Sequence, residues 1–125
     1  MKNTFNRALS MLLAILCAFS LCATASGISY DDVDGHWAEE AIERFTGYGI
    51  VNGEGNSFNP DGSLTRAMMA TILSRTLGLT ETAENPFGDV ADGAWYAEHV
   101  LKCYKAGIML GDGKNANPDA LISRE

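Results

Sequence analysis

The chain carries the same alternation of apolar and polar positions twice. Trp37, Ala38, Ala41, Ile42 and Phe45 fall at helical spacing, and Gly47 and Gly49 end the run. The stretch that follows, "IVNGEGNSFNPDGS", is dense in Gly, Asn and Pro, each of which favours turns through its own backbone. A second apolar stripe of Met69, Ile72, Leu73 and Leu77 predicts a helix from about Thr65 to Thr76, closed by Gly78. Farther on, Trp95, Tyr96, Val100, Cys103 and Tyr104 repeat the first stripe and Gly107 ends it. Asp34 is the expected N-cap of the first helix. The polar linker "LTETAENP", with its Pro86 ring, is not expected to be helical.

These are two copies of one unit. A shift of 58 residues superposes Trp37 on Trp95, Gly49-Ile50 on Gly107-Ile108 and Gly53 on Gly111. The same shift brings Asn59-Pro60-Asp61 onto Asn117-Pro118-Asp119 and Leu64-Thr65-Arg66 onto Ile122-Ser123-Arg124. "YDDV" at Tyr30–Val33 matches "FGDV" at Phe87–Val90 with a shift of 57. A helix–loop–helix unit repeated in tandem predicts an all-α architecture in which neighbouring copies bury a shared core. The second copy stops just after its Arg, so Ser123–Glu125 reads as one turn of a helix that cannot repay its nucleation.

The N-terminus is of a different kind. Lys2 and Arg7 precede an apolar run, "ALSMLLAILCAFSL", and Ala23-Thr24-Ala25 supplies small residues for cleavage. Residues 1–25 therefore read as a secretory signal peptide, in preference to an uncleaved anchor or a lipid-attachment box. The expected organisation is this signal, repeat 1 with its linker at 26–86, and a truncated repeat 2 at 87–125. Removal of the signal leaves seven basic against sixteen acidic residues, a net charge of −9. So acidic a surface argues against nucleic acid and, after cleavage, against anionic membranes. Of the three cysteines only Cys103 remains, so no intramolecular disulfide can form, and its place on an apolar stripe predicts a buried, inert thiol.

The repeated pieces, "YDDV", "HWAEEAI", "GIVNG", "FNP" and "LTRAM", together resemble the S-layer homology (SLH) domain. The resemblance covers Tyr30–Leu79 as a full repeat and Phe87–Glu125 as most of a second. It implies an incomplete pseudo-threefold helical bundle that anchors an exported protein non-covalently to the bacterial cell wall. The implied partner is a cell-wall glycan, often a pyruvylated secondary polymer, bound in grooves between repeats, with further SLH repeats as associates. No cofactor is implied. The Arg associated with the ligand's carboxylate corresponds to Arg66, with Arg124 as its equivalent in the second copy. The remaining candidates are Thr65, Asp32, Trp37, Gly53, Asp89, Trp95 and Gly111.

Arg66 suits an anion on chemical grounds as well. It falls in the first turn of a helix, where backbone N–H groups and the dipole favour negative charge, and its planar fork matches a carboxylate. The structural alternative is that it pairs with Asp61 or an aspartate of the neighbouring repeat. Gly53 is expected to let the backbone approach a ligand closely. Two positions depart from the family's pattern: Met68 replaces the capping-box Glu, which removes the reciprocal bond to Thr65, and Ala116 stands where the first copy has Phe58, which removes an aromatic plug.

Other chemistry finds little footing. Asp32, Asp34 and Glu43 have the spacing of a calcium loop, but His36 and Trp37 occupy positions that need an oxygen ligand and a glycine. Asp32 and Asp89 are expected to cap local turns, with a place near the ligand groove implied by the family. Trp37 and Trp95 are read as core residues ahead of sugar-stacking ones. His36 and His99 make no zinc or catalytic spacing with Cys103, and the carboxylates are too scattered for a glycosidase pair. An enzyme is not expected.

Overall fold

The computed structural model describes residues 27–123, so the proposed signal peptide, Arg124 and Glu125 lie outside the described residues. Three helices are present: α1 (Glu39–Gly47), α2 (Arg66–Thr76) and α3 (Ala97–Lys105). Among the described residues there is no strand, only two isolated bridges, Glu54 with Ser57 and Thr65 with Leu121. The architecture is all-α, as the stripes predict.

All three helices stop in the same way. Gly49, Gly78 and Gly107 take left-handed backbone angles one residue past the cap. In α1 the Gly49 N–H donates to the Thr46 carbonyl and the Ile50 N–H to that of Phe45; α2 and α3 repeat both bonds. This paired closure satisfies carbonyls the helix would otherwise leave bare, and glycine adopts it without a Cβ penalty.

Helix starts follow the sequence less closely. Asp34 does not cap α1. The chain first makes a turn, with the His36 N–H donating to the Val33 carbonyl, and α1 begins only at Glu39, without a side-chain cap at Ala38. Trp37 therefore precedes the helix and stands 89% exposed, and Trp95 is 64% exposed for the same reason, which corrects their assignment to the core. Glu39 and Glu40 in the first turn and Arg44 in the last suit the α1 dipole instead of a cap. At α2, Thr65 is the expected N-cap, its hydroxyl accepting the Met68 N–H at 3.2 Å.

The main core lies between the copies. Helix α2, of the first repeat in sequence, packs on α3 of the second, and it is the only helix pair in contact among the described residues. The contact face of α2 is not the Met69–Leu77 stripe. Ala67, Ala70, Thr71 and Ser74 are buried there, Met69, Ile72 and Leu73 are half-buried, and Leu77 is exposed. Small side chains let the backbones close up: Cys103, fully buried, donates from Sγ to the Ala70 carbonyl at 3.3 Å, and Ser74 Oγ lies 2.6 Å from His99 Nδ1. Burial pushes the Cys103 thiol up and the His99 imidazole down, which favours the neutral form of each. Phe87, Val90, Ala97, Val100, Met109 and Ala116 complete this core.

A smaller core sits under the first loop, where Tyr30, Val33 and Ile42 are buried against Ala38 and Phe58. The Phe58/Ala116 difference finds its explanation here. In the first copy the Tyr30 ring meets Phe58 at 5.4 Å; in the second, Phe87 meets Tyr104 edge-on at 5.0 Å. The aromatic partner has moved from the loop to the helix, where the first copy has Thr46. That exchange leaves Thr46 buried with its hydroxyl unpartnered among the described residues. Thr46→Val should accordingly stabilise the chain by about 1 kcal/mol. Thr71→Val should do the opposite, because the Thr71 hydroxyl donates to the Ala67 carbonyl at 3.0 Å. Urea titration of both variants checks the pair, and equal midpoints would refute the account.

Candidate functional site

Each repeat loop is held by one aspartate from the segment before its first helix. The Asp32 carboxylate accepts the Phe58 and Asn59 N–H groups at 2.8 and 2.7 Å, and the Asp89 carboxylate accepts those of Ala116 and Asn117 at the same distances. These are not local turn caps, as expected from sequence, but ties across 26 to 28 residues. They fix Asn59 and Asn117 in left-handed conformations (φ 57° and 54°), which asparagine tolerates better than most residues. The two loop amides hold the Asp32 carboxyl below its ordinary range.

The glycines serve the same clamp. A Cβ on Gly53 would come within 2.4 Å of the Tyr30 ring and 2.3 Å of the Ser57 carbonyl; one on Gly111 would meet Phe87 at 2.7 Å and the Asn115 carbonyl at 2.3 Å. What approaches these glycines closely is therefore the chain's own aromatic ring. The Tyr30 hydroxyl also accepts the Gly53 N–H at 2.8 Å. In the second loop, Asp112 accepts from the Lys114 and Asn115 amides, which pull its carboxyl down to about 2.

Arg66 stands where the two copies interlock. Its backbone N–H donates to the Ala120 carbonyl and that of Ala67 to the Pro118 carbonyl, both at 2.9 Å. With Met68 N–H taken by Thr65, the first three amides of α2 are all satisfied from within the chain. The expectation that these amides would be free for an anion is thus corrected: the second loop supplies carbonyl acceptors to the start of α2. The Arg66 side chain, half-buried, donates from Nε to the Ala116 carbonyl at 2.9 Å. It does not pair with Asp61, whose partner is His36 at 3.3 Å. The two Nη groups make no hydrogen bond among the described residues.

The structure thus brings Thr65, Arg66 and Asp89 to one junction, with Ala116 bonded to both the Asp89 carboxylate and the Arg66 guanidinium. Asp32 and Gly53 belong to the first loop's clamp and Gly111 to the second's. Trp37 packs beside His36, and Trp95 beside Tyr96. Sequence reasoning missed the His36–Asp61 tie, since nothing local links residues 25 apart, and it missed Ala116, whose contribution is a carbonyl. An open cleft of about 280 Å³ near the start of α1 is lined by Asp31, Asp34, Glu39 and Glu43 and is unsuited to an anion. No group of three or more His, Cys, Asp or Glu is placed to hold a metal among the described residues.

Two repeat units with matching aspartate clamps, joined where α2 of the first packs on α3 of the second, define an all-α tandem-repeat module. The chain belongs to the S-layer homology domain family, whose model matches residues 29–70 and 86–125, and is a cell-surface module. It is 39% identical over 105 residues to endo-1,4-beta-xylanase A of Thermoanaerobacterium saccharolyticum, a match covering 82% of this chain and 9% of that enzyme. It is 37% identical over 100 residues to exoglucanase XynX of Acetivibrio thermocellus, covering 78% of this chain and 9% of that protein. To S-layer protein EA1 of Bacillus anthracis it is 32% identical over 129 residues, covering 98% of this chain and 15% of that protein. The chain thus spans under a tenth of the two enzymes' lengths. No solved structure matches it. No helix of the described residues is long and apolar enough to cross a membrane.

Proposed function

We propose that this chain, exported through the signal at residues 1–25, anchors a protein to the bacterial cell wall by binding a secondary cell-wall polysaccharide. The ligand group is an acidic sugar substituent, such as a pyruvyl ketal, met by Arg66. The observation that carries this reading is the guanidinium itself: Nε is fixed by the Ala116 carbonyl, and the outer fork has no partner among the described residues of a strongly acidic chain. A fork held by one nitrogen is oriented before a carboxylate arrives, which lowers the entropy lost on binding. The exposed rings of Trp37 and Trp95 offer stacking faces for sugars. Asp32, Asp89, Gly53 and Gly111 act by shaping the loops, and the Thr65 hydroxyl retains its proton for donation. Arg124 holds the matching sequence position in the second copy, and the competent half-site is the one centred on Arg66.

Pull-down of the purified chain with wall polymer tests this. Arg66→Lys keeps the charge and loses the fork, so affinity should fall roughly tenfold. Binding by the parent should weaken as salt rises. Undiminished binding by Arg66→Lys, with melting behaviour unchanged, would remove Arg66 from the site.

A second reading rests on α1. Its Phe45 is 44% exposed at the position where Cys103 is sealed beneath α2, and no helix covers it among the described residues. The face suits a further repeat, from this chain's own protein or another, in an assembly module of a surface layer. The xylanase and exoglucanase relatives support the related reading that the chain anchors a larger cell-surface enzyme. Sedimentation separates the readings: a monomer that binds glycan supports the first, and a glycan-blind oligomer the second.

A further inference from the structure

We propose that Asn52 is a self-modification site, its carboxamide converted to a carboxylate through a cyclic imide with the Gly53 nitrogen, and that the Tyr30 hydroxyl sets the rate. Asn52-Gly53 is the only Asn-Gly pair in the sequence, and glycine presents the least hindered nitrogen for such an attack. Asn52 is exposed, and its carboxamide makes no hydrogen bond among the described residues. The attacking group is different: the Gly53 N–H is held at 2.8 Å by the hydroxyl of Tyr30, a buried ring packed against Phe58.

The chemistry balances with water alone. The Gly53 nitrogen loses its proton to solvent base and forms a bond to the Asn52 side-chain carbonyl carbon, which expels ammonia. Water then opens the imide at either carbonyl, giving aspartate or its β-linked isomer. The hydrogen bond to Tyr30 opposes the first step twice over. It stabilises the protonated amide, and it holds the peptide plane in the geometry of the loop, away from the rotation that closure needs.

The β-linked product would not fit the loop that made it. A β-linkage adds one methylene to the backbone just before Gly53, a residue so closely packed that a Cβ on it would meet Tyr30 at 2.4 Å and the Ser57 carbonyl at 2.3 Å. Either product adds a negative charge to the first loop, and the β-linked one also breaks the Tyr30 clamp. The second loop is immune, because Leu110 and not an asparagine precedes Gly111.

Incubation at mildly alkaline pH, followed by peptide mapping for the amide-to-acid mass gain, measures the rate directly. The folded chain should convert at Asn52 slowly but measurably, and the urea-unfolded chain much faster. Tyr30→Phe keeps the ring and removes the acceptor, so conversion of the folded variant should be roughly fivefold faster, one hydrogen bond's worth of barrier. Asn56-Ser57 serves as an internal gauge of loosening, since a generally looser loop accelerates both sites. Equal rates in folded and unfolded parent, an unchanged rate in Tyr30→Phe, or equal acceleration at Asn52 and Asn56 would each overturn the proposal.

Discussion

Phe87→Ala should lower stability by about 3–4 kcal/mol. The ring is buried, meets Tyr104 edge-on and lies on the face of Gly111 that a Cβ would otherwise fill. Its neighbours offer little that could collapse into the space: Gly111 has no side chain, and Val90 and Ala116 are already packed into the core. The loss includes both the transfer of the ring and the cavity left behind. Leu121→Ala, at an exposed position, should stay within about 0.5 kcal/mol and serves as the surface control. Urea titration followed by circular dichroism reads both. Similar midpoints for the two variants would show that Phe87 is not the keystone of the second copy.

The second large effect is expected at Gly111. Its left-handed φ of 68° alone costs an alanine about 1–2 kcal/mol. The added Cβ would also come within 2.3 Å of the Asn115 carbonyl, backbone that cannot move without disturbing its bond to the Asp112 N–H. We expect a total of about 3 kcal/mol for Gly111→Ala, with overpacking supplying the remainder. Gly113 separates the two causes. It is also left-handed, at φ 97°, but a Cβ there meets nothing within 4 Å, so Gly113→Ala should cost only the conformational part, about 1–2 kcal/mol. Thermal melting of both variants decides it, and equal losses would mean that the close approach to Phe87 and Asn115 carries no energy.

How much of this was legible in the sequence depends on the range of the interaction. Helix ends were, since Gly49, Gly78 and Gly107 act through their own backbone angles. The capping of α2 by Thr65 was legible for the same reason. The start of α1 was not, because the turn through His36 uses bonds that compete with Asp34 as a cap. Trp37 and Trp95 misled because helical spacing was extended past the residues that are helical. The α2 stripe misled differently: with a close-packed neighbour, the buried face goes to Ala67, Ala70 and Ser74, whose smallness admits α3, and hydrophobicity alone cannot see that.

At the candidate site the residue identities were legible and their partners were not. Asp32 and Asp89 could be recognised as oxygen donors to backbone amides, but the amides lie 26 to 28 residues away. Arg66 could be placed at a helix start, yet the carbonyl that orients it belongs to Ala116, a residue whose side chain gives no hint of it. The swap of Thr46 and Phe58 for Tyr104 and Ala116 was the one long-range signal available within a single chain. It appears only when the two copies are compared at both positions together.

The packing of α2 against α3 has a consequence for how such a chain can grow. The segment that recurs in the sequence begins before a first helix and ends after a second, whereas the segment that shares a core begins with a second helix and ends with the next first one. The genetic period and the folding period are therefore half a unit out of phase. A duplication that adds one sequence unit adds no finished block; it supplies the complement to a face already waiting and presents a new one of the same kind. Extension by whole repeats thus preserves every existing interface, while a cut at the linker, which looks like the natural seam, divides the one core that the two copies build together.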